Sequence, residues 1–161
     1  MRNSNVILAT IAAAGLLALS TATQPAAAQT AQSQATYRDI EQTLGFVPGF
    51  FRQMPESAIP GAWAEMKGFQ LNPNTRLNGK TKELIGLAVA AQIPCQYCIY
   101  FHTAAAKANG ATDEEIKEAV AMAGVVRHWS TVLNGNQVDL STFRHDTDTV
   151  LSHAADKAKS Q

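Results

Sequence analysis

The sequence predicts an all-α, single-domain bundle of about six helices. Apolar residues between about 36 and 155 recur at the three- and four-residue spacing of helix faces. No stretch alternates apolar and polar residues between hairpin turn signals, as a β-strand would. Roughly 125 ordered residues fit one domain, which can bury a core without a disulfide crosslink.

Residues 1–28 have the three-part pattern of a secretory signal peptide. Arg2 gives a positive start, an apolar run covers residues 6–19, and an A-x-A cleavage site occupies residues 26–28. The run is shorter than the roughly 20 residues that a membrane-spanning helix needs, although an uncleaved anchor is the alternative. We therefore expect a periplasmic or secreted protein with no membrane attachment after signal removal.

The mature chain is predicted to begin with a disordered leader and three short helices. Residues 29–35 have no apolar period, which is typical of disorder. Thr36 is a plausible N-cap for a helix that ends at Gly45. The remaining short helices run from about Pro48 to before Pro55 and from Pro60 to Leu71, where an Asn72-Pro73-Asn74 turn follows.

Two stronger helices occupy the middle of the chain. The first covers Gly79 to Gln92 and has a broad apolar face. Pro94 then interrupts the chain, and the second helix covers Cys95 to Asn109. The chain between Gly79 and Asn109 therefore predicts two helices joined by a short connection.

Two further helices complete the predicted domain, 36–155. Thr112 and Glu115 form a capping box that starts a helix ending near Leu133. The last helix spans about Leu140 to Ala155, and residues 156–161 are predicted to be a flexible tail.

The charge pattern excludes some classes of partner. The formal net charge is zero, and the lysines and arginines are scattered without a basic stripe. We therefore expect neither nucleic acid nor an anionic membrane surface as a partner.

The two cysteines of the chain, Cys95 and Cys98, form a C-x-x-C motif. A thiol reacts as its thiolate, so the surroundings must favour the anion. Pro94 places both residues in the first turn of a helix, where unpaired N–H groups favour negative charge. His102 follows Cys98 by four residues, shares its helix face and can accept its proton. The motif therefore predicts thiol redox chemistry.

Glu83 is the candidate partner of His102. If its helix packs against the cysteine helix, the carboxylate would orient the imidazole and hold its charge. A carboxylate in a first helical turn is also favourable without any function. Zinc held by Cys95, Cys98, His102 and Glu83 is the rival interpretation, but the chain lacks the second ligand pair of most structural zinc sites. We expect no metal, and no cofactor besides a redox-active Cys95–Cys98 disulfide.

Four features occur together and carry a resemblance to a known family. They are Lys-Thr-Lys-Glu-Leu-Ile-Gly-Leu-Ala-Val-Ala at 80–90, Cys95-Gln96-Tyr97-Cys98, His102, and Gly-Ala-Thr-Asp-Glu-Glu-Ile at 110–116. With this set, about residues 40–135 resemble the alkylhydroperoxidase D-like branch of the carboxymuconolactone decarboxylase superfamily. The resemblance implies the helical bundle of that branch, a homo-oligomer, and reduction of hydroperoxides through the cysteine pair.

The resemblance also implies a role for each candidate residue. Cys98 is the attacking thiol, His102 its base, Glu83 the residue that completes the proton relay, and Cys95 the resolving thiol. The helix dipole alone would favour Cys95 as the attacking thiol, because it lies nearer the helix start. Tyr97 is a departure, since well-studied members have a histidine between the cysteines.

These observations lead us to expect an exported antioxidant enzyme with peroxiredoxin-type activity. Its partners would be a hydroperoxide and a dithiol or thioredoxin-like reductant, whose identity stays open because the periplasm is oxidising. Two alternatives remain. One is thiol–disulfide exchange on other proteins, and the other is a non-catalytic helical binding module whose cysteines form an inert disulfide or hold zinc.

Overall fold

A computed structural model describes residues 26–160, and every regular element in that range is helical. The six α-helices are α1 (Ala26–Leu44), α2 (Ile59–Glu65), α3 (Gly79–Gln92), α4 (Gln96–Ala108), α5 (Asp113–Gly135) and α6 (Leu140–Lys159). Short 3₁₀ turns cover Gly49–Gln53 and Glu56–Ala58, and a π-helix covers Met66–Gln70. The predicted all-α class with about six helices is confirmed. Most of the predicted signal peptide lies outside the described residues.

The chain divides into two compact units, of which the first ends at Trp63. Its core contains Ile40, Phe51, Ile59 and Trp63, all buried. The rings of Phe51 and Trp63 meet edge to face with centroids 5.7 Å apart. The indole Nε1 of Trp63 donates a hydrogen bond to Asp39 at 2.7 Å, so its polar atom is paired.

The start of α1 corrects two predictions. The predicted disordered leader, 29–35, is wrong, because α1 begins at Ala26 and runs through it. A polar contact holds this part of the helix in place: the fully buried Ser33 donates to the carbonyl oxygen of Glu56 at 2.7 Å. Thr36 is not an N-cap, since its hydroxyl donates to the Gln32 carbonyl within the helix. Because this contact is polar, the spacing of apolar residues could not predict that residues 29–35 are helical.

The second unit begins at Ala64 and is built around α3, which packs against both α4 and α5. Leu87 and Ala90 of α3, Ala106 of α4 and Ala123 of α5 are buried. The three alanines let the helix axes approach closely, and Leu87 fills the space beside them. This packing sets the α3 and α4 side chains opposite each other.

Side-chain caps mark the first residues of α3 and α5. The helix α3 covers the predicted Gly79–Gln92, and the Asn78 side chain accepts the Thr81 amide. Both hydrogen bonds of the capping box at α5 are present: Thr112 accepts the Glu115 amide, and Glu115 accepts the Thr112 amide. The predicted start of α5 is therefore confirmed.

The last helix, α6, is longer than predicted and buries none of its residues. It continues to Lys159, so the predicted flexible tail is wrong as far as that residue. An ion pair of 3.2 Å between Lys159 and Asp156 supports the last turn. Within residues 26–160, no helix combines the length and apolar character needed to cross a membrane.

Candidate active site

Glu83 of α3 and His102 of α4 meet at the contact between these helices. The Nδ1 atom of the imidazole lies 2.6 Å from Oε2 of the carboxylate. The Glu83 side chain is 5% exposed and the His102 side chain 20%. A carboxylate at this distance fixes Nδ1–H as the donor, which leaves Nε2 as the nitrogen that can accept a proton. The structure thus brings together two of the four predicted site residues.

Gly86 makes this contact possible. It lies one turn after Glu83 on α3, and the His102 ring rests against its Cα. A methyl group at Gly86 would lie 2.8 Å from Nε2 and closer still to Cε1. Sequence reasoning missed this residue, although a glycine inside a strong helix often indicates a close approach.

The cysteine pair lies at the N-terminal end of α4 and forms a disulfide. Cys95 is the N-cap residue, and its Sγ accepts the amide N–H of Cys98 at 3.3 Å. The Cα atoms are 5.3 Å apart, and both cysteines are partly exposed. The sulfur of Cys95 thus occupies the position where a helix N-terminus favours an anion. His102 lies one turn after Cys98 on the same helix.

Tyr97, at the position between the cysteines, is largely exposed to solvent. Its side chain is 79% exposed, as is that of Tyr100. The two tyrosines and Ile93, which is 62% exposed, give the surface beside the disulfide an apolar and aromatic character.

Two further polar residues of the site were not predicted. Gln70, the last residue of the π-helix, donates from Nε2 to Oε1 of Glu83 at 3.4 Å. Lys82 is buried, and its ammonium donates to three oxygens of the π-helix and the turn that follows it. These hydrogen bonds join residues 7 to 13 positions apart and depend on the path of the chain between them, so no local sequence signal could find them.

A cavity of about 230 Å³ opens beside His102. The π-helix, the following loop and α3 form its walls, and its lining residues are Phe69, Gln70, Leu77, Lys82, Ile85 and Gly86. Apolar side chains dominate this lining. A small organic molecule could therefore reach the imidazole edge without meeting a free charge from Lys82, whose donors are already used.

No metal site accompanies this geometry in the described part of the chain. Among residues 26–160, no group of three or more histidine, cysteine, aspartate or glutamate side chains is arranged to hold a metal ion.

Comparisons with known proteins agree with this architecture. The crystal structure of the alkylhydroperoxidase AhpD core from Rhodospirillum rubrum matches with a TM-score of 0.60 and 27% sequence identity. The match covers 71% of this chain and 86% of that one. An uncharacterized protein 4 in the cox locus of Paracoccus denitrificans is 38% identical over 61 residues. That alignment covers 38% of this chain and 55% of the length of the relative.

A family model gives the assignment. The model of the carboxymuconolactone decarboxylase family matches residues 58–138, half of the chain, and this range contains all four predicted site residues together with Gln70, Lys82 and Gly86. With the helical fold and the similarity to the AhpD core, this match shows that the chain belongs to the carboxymuconolactone decarboxylase family.

Proposed function

We propose that the protein is a thiol peroxidase that reduces hydroperoxides through Cys95 and Cys98. The observation that carries the proposal is the 2.6 Å contact between Glu83 and His102, one helical turn from a C-x-x-C pair at a helix N-terminus. A base held by a buried carboxylate is the arrangement that activates a nucleophile. The similarity to the AhpD core adds support, because that protein is an alkylhydroperoxidase.

The proposed reaction begins with the reduced pair. His102 accepts the Cys98 proton at Nε2, and the thiolate attacks the terminal oxygen of the hydroperoxide. The O–O bond breaks, Cys98 becomes a sulfenic acid, and the leaving alkoxide takes the proton from His102 to form an alcohol. The role of Glu83 is to hold the imidazolium while it carries that proton.

The second half of the reaction restores the thiols. The Cys95 thiol attacks the Cys98 sulfur, a disulfide forms, and the sulfenic oxygen leaves as water. A dithiol then reduces the disulfide by exchange and becomes oxidised itself. The net change converts one hydroperoxide and one dithiol into an alcohol, water and one disulfide.

Stopped-flow measurement of thiol loss tests the proposal. Fully reduced protein is mixed with one equivalent of peroxide, with Cys98→Ser and Cys95→Ser in parallel. We expect fast loss in wild type, none in Cys98→Ser, and a trappable sulfenic acid in Cys95→Ser. Loss no faster than that of a free thiol would remove the peroxidase assignment.

Thiol–disulfide exchange is a second candidate, favoured by the partial exposure of the disulfide and the exposed tyrosines beside it. Such a surface would admit another protein to the sulfur atoms. A protein disulfide that turns over faster than any peroxide would select this candidate.

We further propose that the protein is exported and works as a homo-oligomer. Export rests on the signal-peptide pattern of residues 1–28. An exported enzyme would take electrons from a dithiol or thioredoxin-like partner outside the cytoplasm. Mass spectrometry of the protein from a periplasmic fraction tests this, and an intact N-terminus in a cytoplasmic fraction would contradict it.

A further inference from the structure

The 66–75 segment, which comprises the π-helix Met66–Gln70 and the turn to Thr75, approaches the candidate site from outside α3 and α4. A π-helix is rare, and it commonly marks a functional position because it displaces the side chains that follow it. Here the segment supplies Phe69 and Gln70 to the cavity beside His102.

Lys82 holds this segment against α3. Its Nζ donates to the carbonyl oxygen of Phe69 at 2.9 Å, to that of Asn72 at 2.8 Å and to Oγ1 of Thr75 at 3.0 Å. An ammonium has three N–H donors, so all of them are used. The residue is 8% exposed, and its charge is thus committed to the segment rather than to a ligand in the cavity.

Gln70 connects the segment to the acid of the site. The two carboxylate oxygens of Glu83 have different partners: Oε2 faces His102 at 2.6 Å, and Oε1 accepts from Gln70 at 3.4 Å. A buried carboxylate needs partners for both oxygens, and a partial rotation about its last bond would move Oε2 away from His102. The amide of Gln70 opposes that rotation.

We propose that Gln70 is a positioning residue that fixes the Glu83 carboxylate toward His102, and that Lys82 fixes the 66–75 segment so that Gln70 can reach it. The inference rests on the proposed function for its effect on peroxide reduction, but its geometric part concerns the Glu83–His102 contact alone. Lys82 and Glu83, which are neighbours on α3, thus both contact the 66–75 segment.

The test uses reduced full-length protein in a Cys95→Ser background, so that Cys98 is the single thiol. Two rates are measured at neutral pH, the reaction with a hydroperoxide and alkylation by iodoacetamide. The Nδ1 proton of His102 is followed by NMR and assigned by its absence in His102→Ala. The variants are Gln70→Leu, Gln70→Glu and Lys82→Met, and Gln42→Leu on the exposed face of α1 is the matched control.

We expect Gln70→Leu to slow both reactions roughly 2- to 12-fold, the range for loss of one hydrogen bond, in a protein that stays folded. Gln70→Glu should slow them more, because it sets an anion against the Glu83 carboxylate. In both variants the His102 Nδ1 resonance should move or broaden. Gln70→Leu should lower the two rates less in the Lys82→Met protein than in wild type. The reason is that Lys82 acts by placing Gln70, so the two substitutions are not additive.

The outcomes separate this inference from the peroxidase proposal. Slow alkylation and a changed His102 resonance in Gln70→Leu would support the positioning role even if wild type reduced no peroxide. Wild-type rates and an unchanged resonance in both folded Gln70 variants would overturn it. Should Lys82→Met fail to fold, the Gln70 variants decide the question by themselves.

Discussion

The imidazole of His102 lies against the backbone of Gly86 on α3. Because Gly86 has no side chain, the ring fits at this position. An added Cβ would lie 2.8 Å from Nε2 and nearer still to Cε1. The ring therefore cannot accept a larger side chain at position 86 without moving. This fit explains how a histidine on α4 reaches a carboxylate buried on α3 at 2.6 Å.

We expect Gly86→Ala to displace His102 and to break its contact with Glu83. Misplacing a catalytic group by about 1 Å can cost roughly 100-fold in rate, so we expect a loss of that order in the reaction of Cys98 with peroxide. Alanine favours a helix over glycine by about 1 kcal/mol, which limits any loss of stability.

The control for this variant is Gly61→Ala in α2. Nothing lies within 4 Å of an added Cβ there, so the same substitution should leave the rate unchanged. Stopped-flow kinetics measures both variants. A Gly86→Ala protein with wild-type rate would show that the imidazole position is unimportant.

Removing the charge of Glu83 should slow the same step. Glu83→Gln keeps the size of the side chain but cannot stabilise an imidazolium through its charge. Hydrogen bonds to charged groups contribute about 1.5–3 kcal/mol, which corresponds to a rate loss of roughly 10- to 150-fold. The exposed Glu118→Gln on α5 is the matched control. Equal rates in Glu83→Gln and wild type would mean that His102 works without the carboxylate.

Sequence reasoning succeeded where the deciding signals are local. The limits of α3 follow from its apolar face, and the start of α5 follows from the Thr112–Glu115 capping box. The same holds for Cys95 and Cys98, whose three-residue separation permits a disulfide without knowledge of the fold.

It failed where a contact joins distant residues. The first turns of α1 depend on Ser33 meeting Glu56, which lies 23 positions later. Gln70 reaches Glu83 across 13 positions, by way of a π-helix that has no sequence signature. The contact between Glu83 and His102 was a conditional expectation, because it required α3 and α4 to pack in one register.

The first turn of α6 should respond to acid. The Asp139 side chain caps this helix, and hydrogen bonds from the Ser141 hydroxyl and then from the Thr142 amide and hydroxyl lower its pKa from 3.8 to about 2. Because the folded pKa lies below the unfolded one, this stabilisation is present above pH 3.8 and is lost as the pH falls toward 2.

Hydrogen exchange of the Thr142 amide over this pH range checks the prediction. Asp139→Asn keeps a good capping side chain without a titrating group, so its protection pattern should not change over the same interval. Identical pH responses of the two proteins would contradict the assigned role of the carboxylate.

The exposed apolar residues of α6 make self-association the expected state of the protein. Val150 is 65% exposed and Leu151 61%, and the preceding helix along the chain, α5, exposes Val126 and Trp129. Monomers seldom leave large contiguous apolar patches in water, and a helix that buries nothing gains little from packing. We therefore expect a second copy of the chain to cover α6.

Sedimentation velocity of wild type and Leu151→Glu tests this expectation. A glutamate at Leu151 would place a charge in the buried contact, so the variant should sediment as a smaller species and lose helical circular dichroism from α6. Ser152→Glu, at the next exposed position, is the control for added charge and helix propensity. A wild-type protein that sediments as a monomer at micromolar concentration would contradict the prediction, since α6 would then be stable in water by itself.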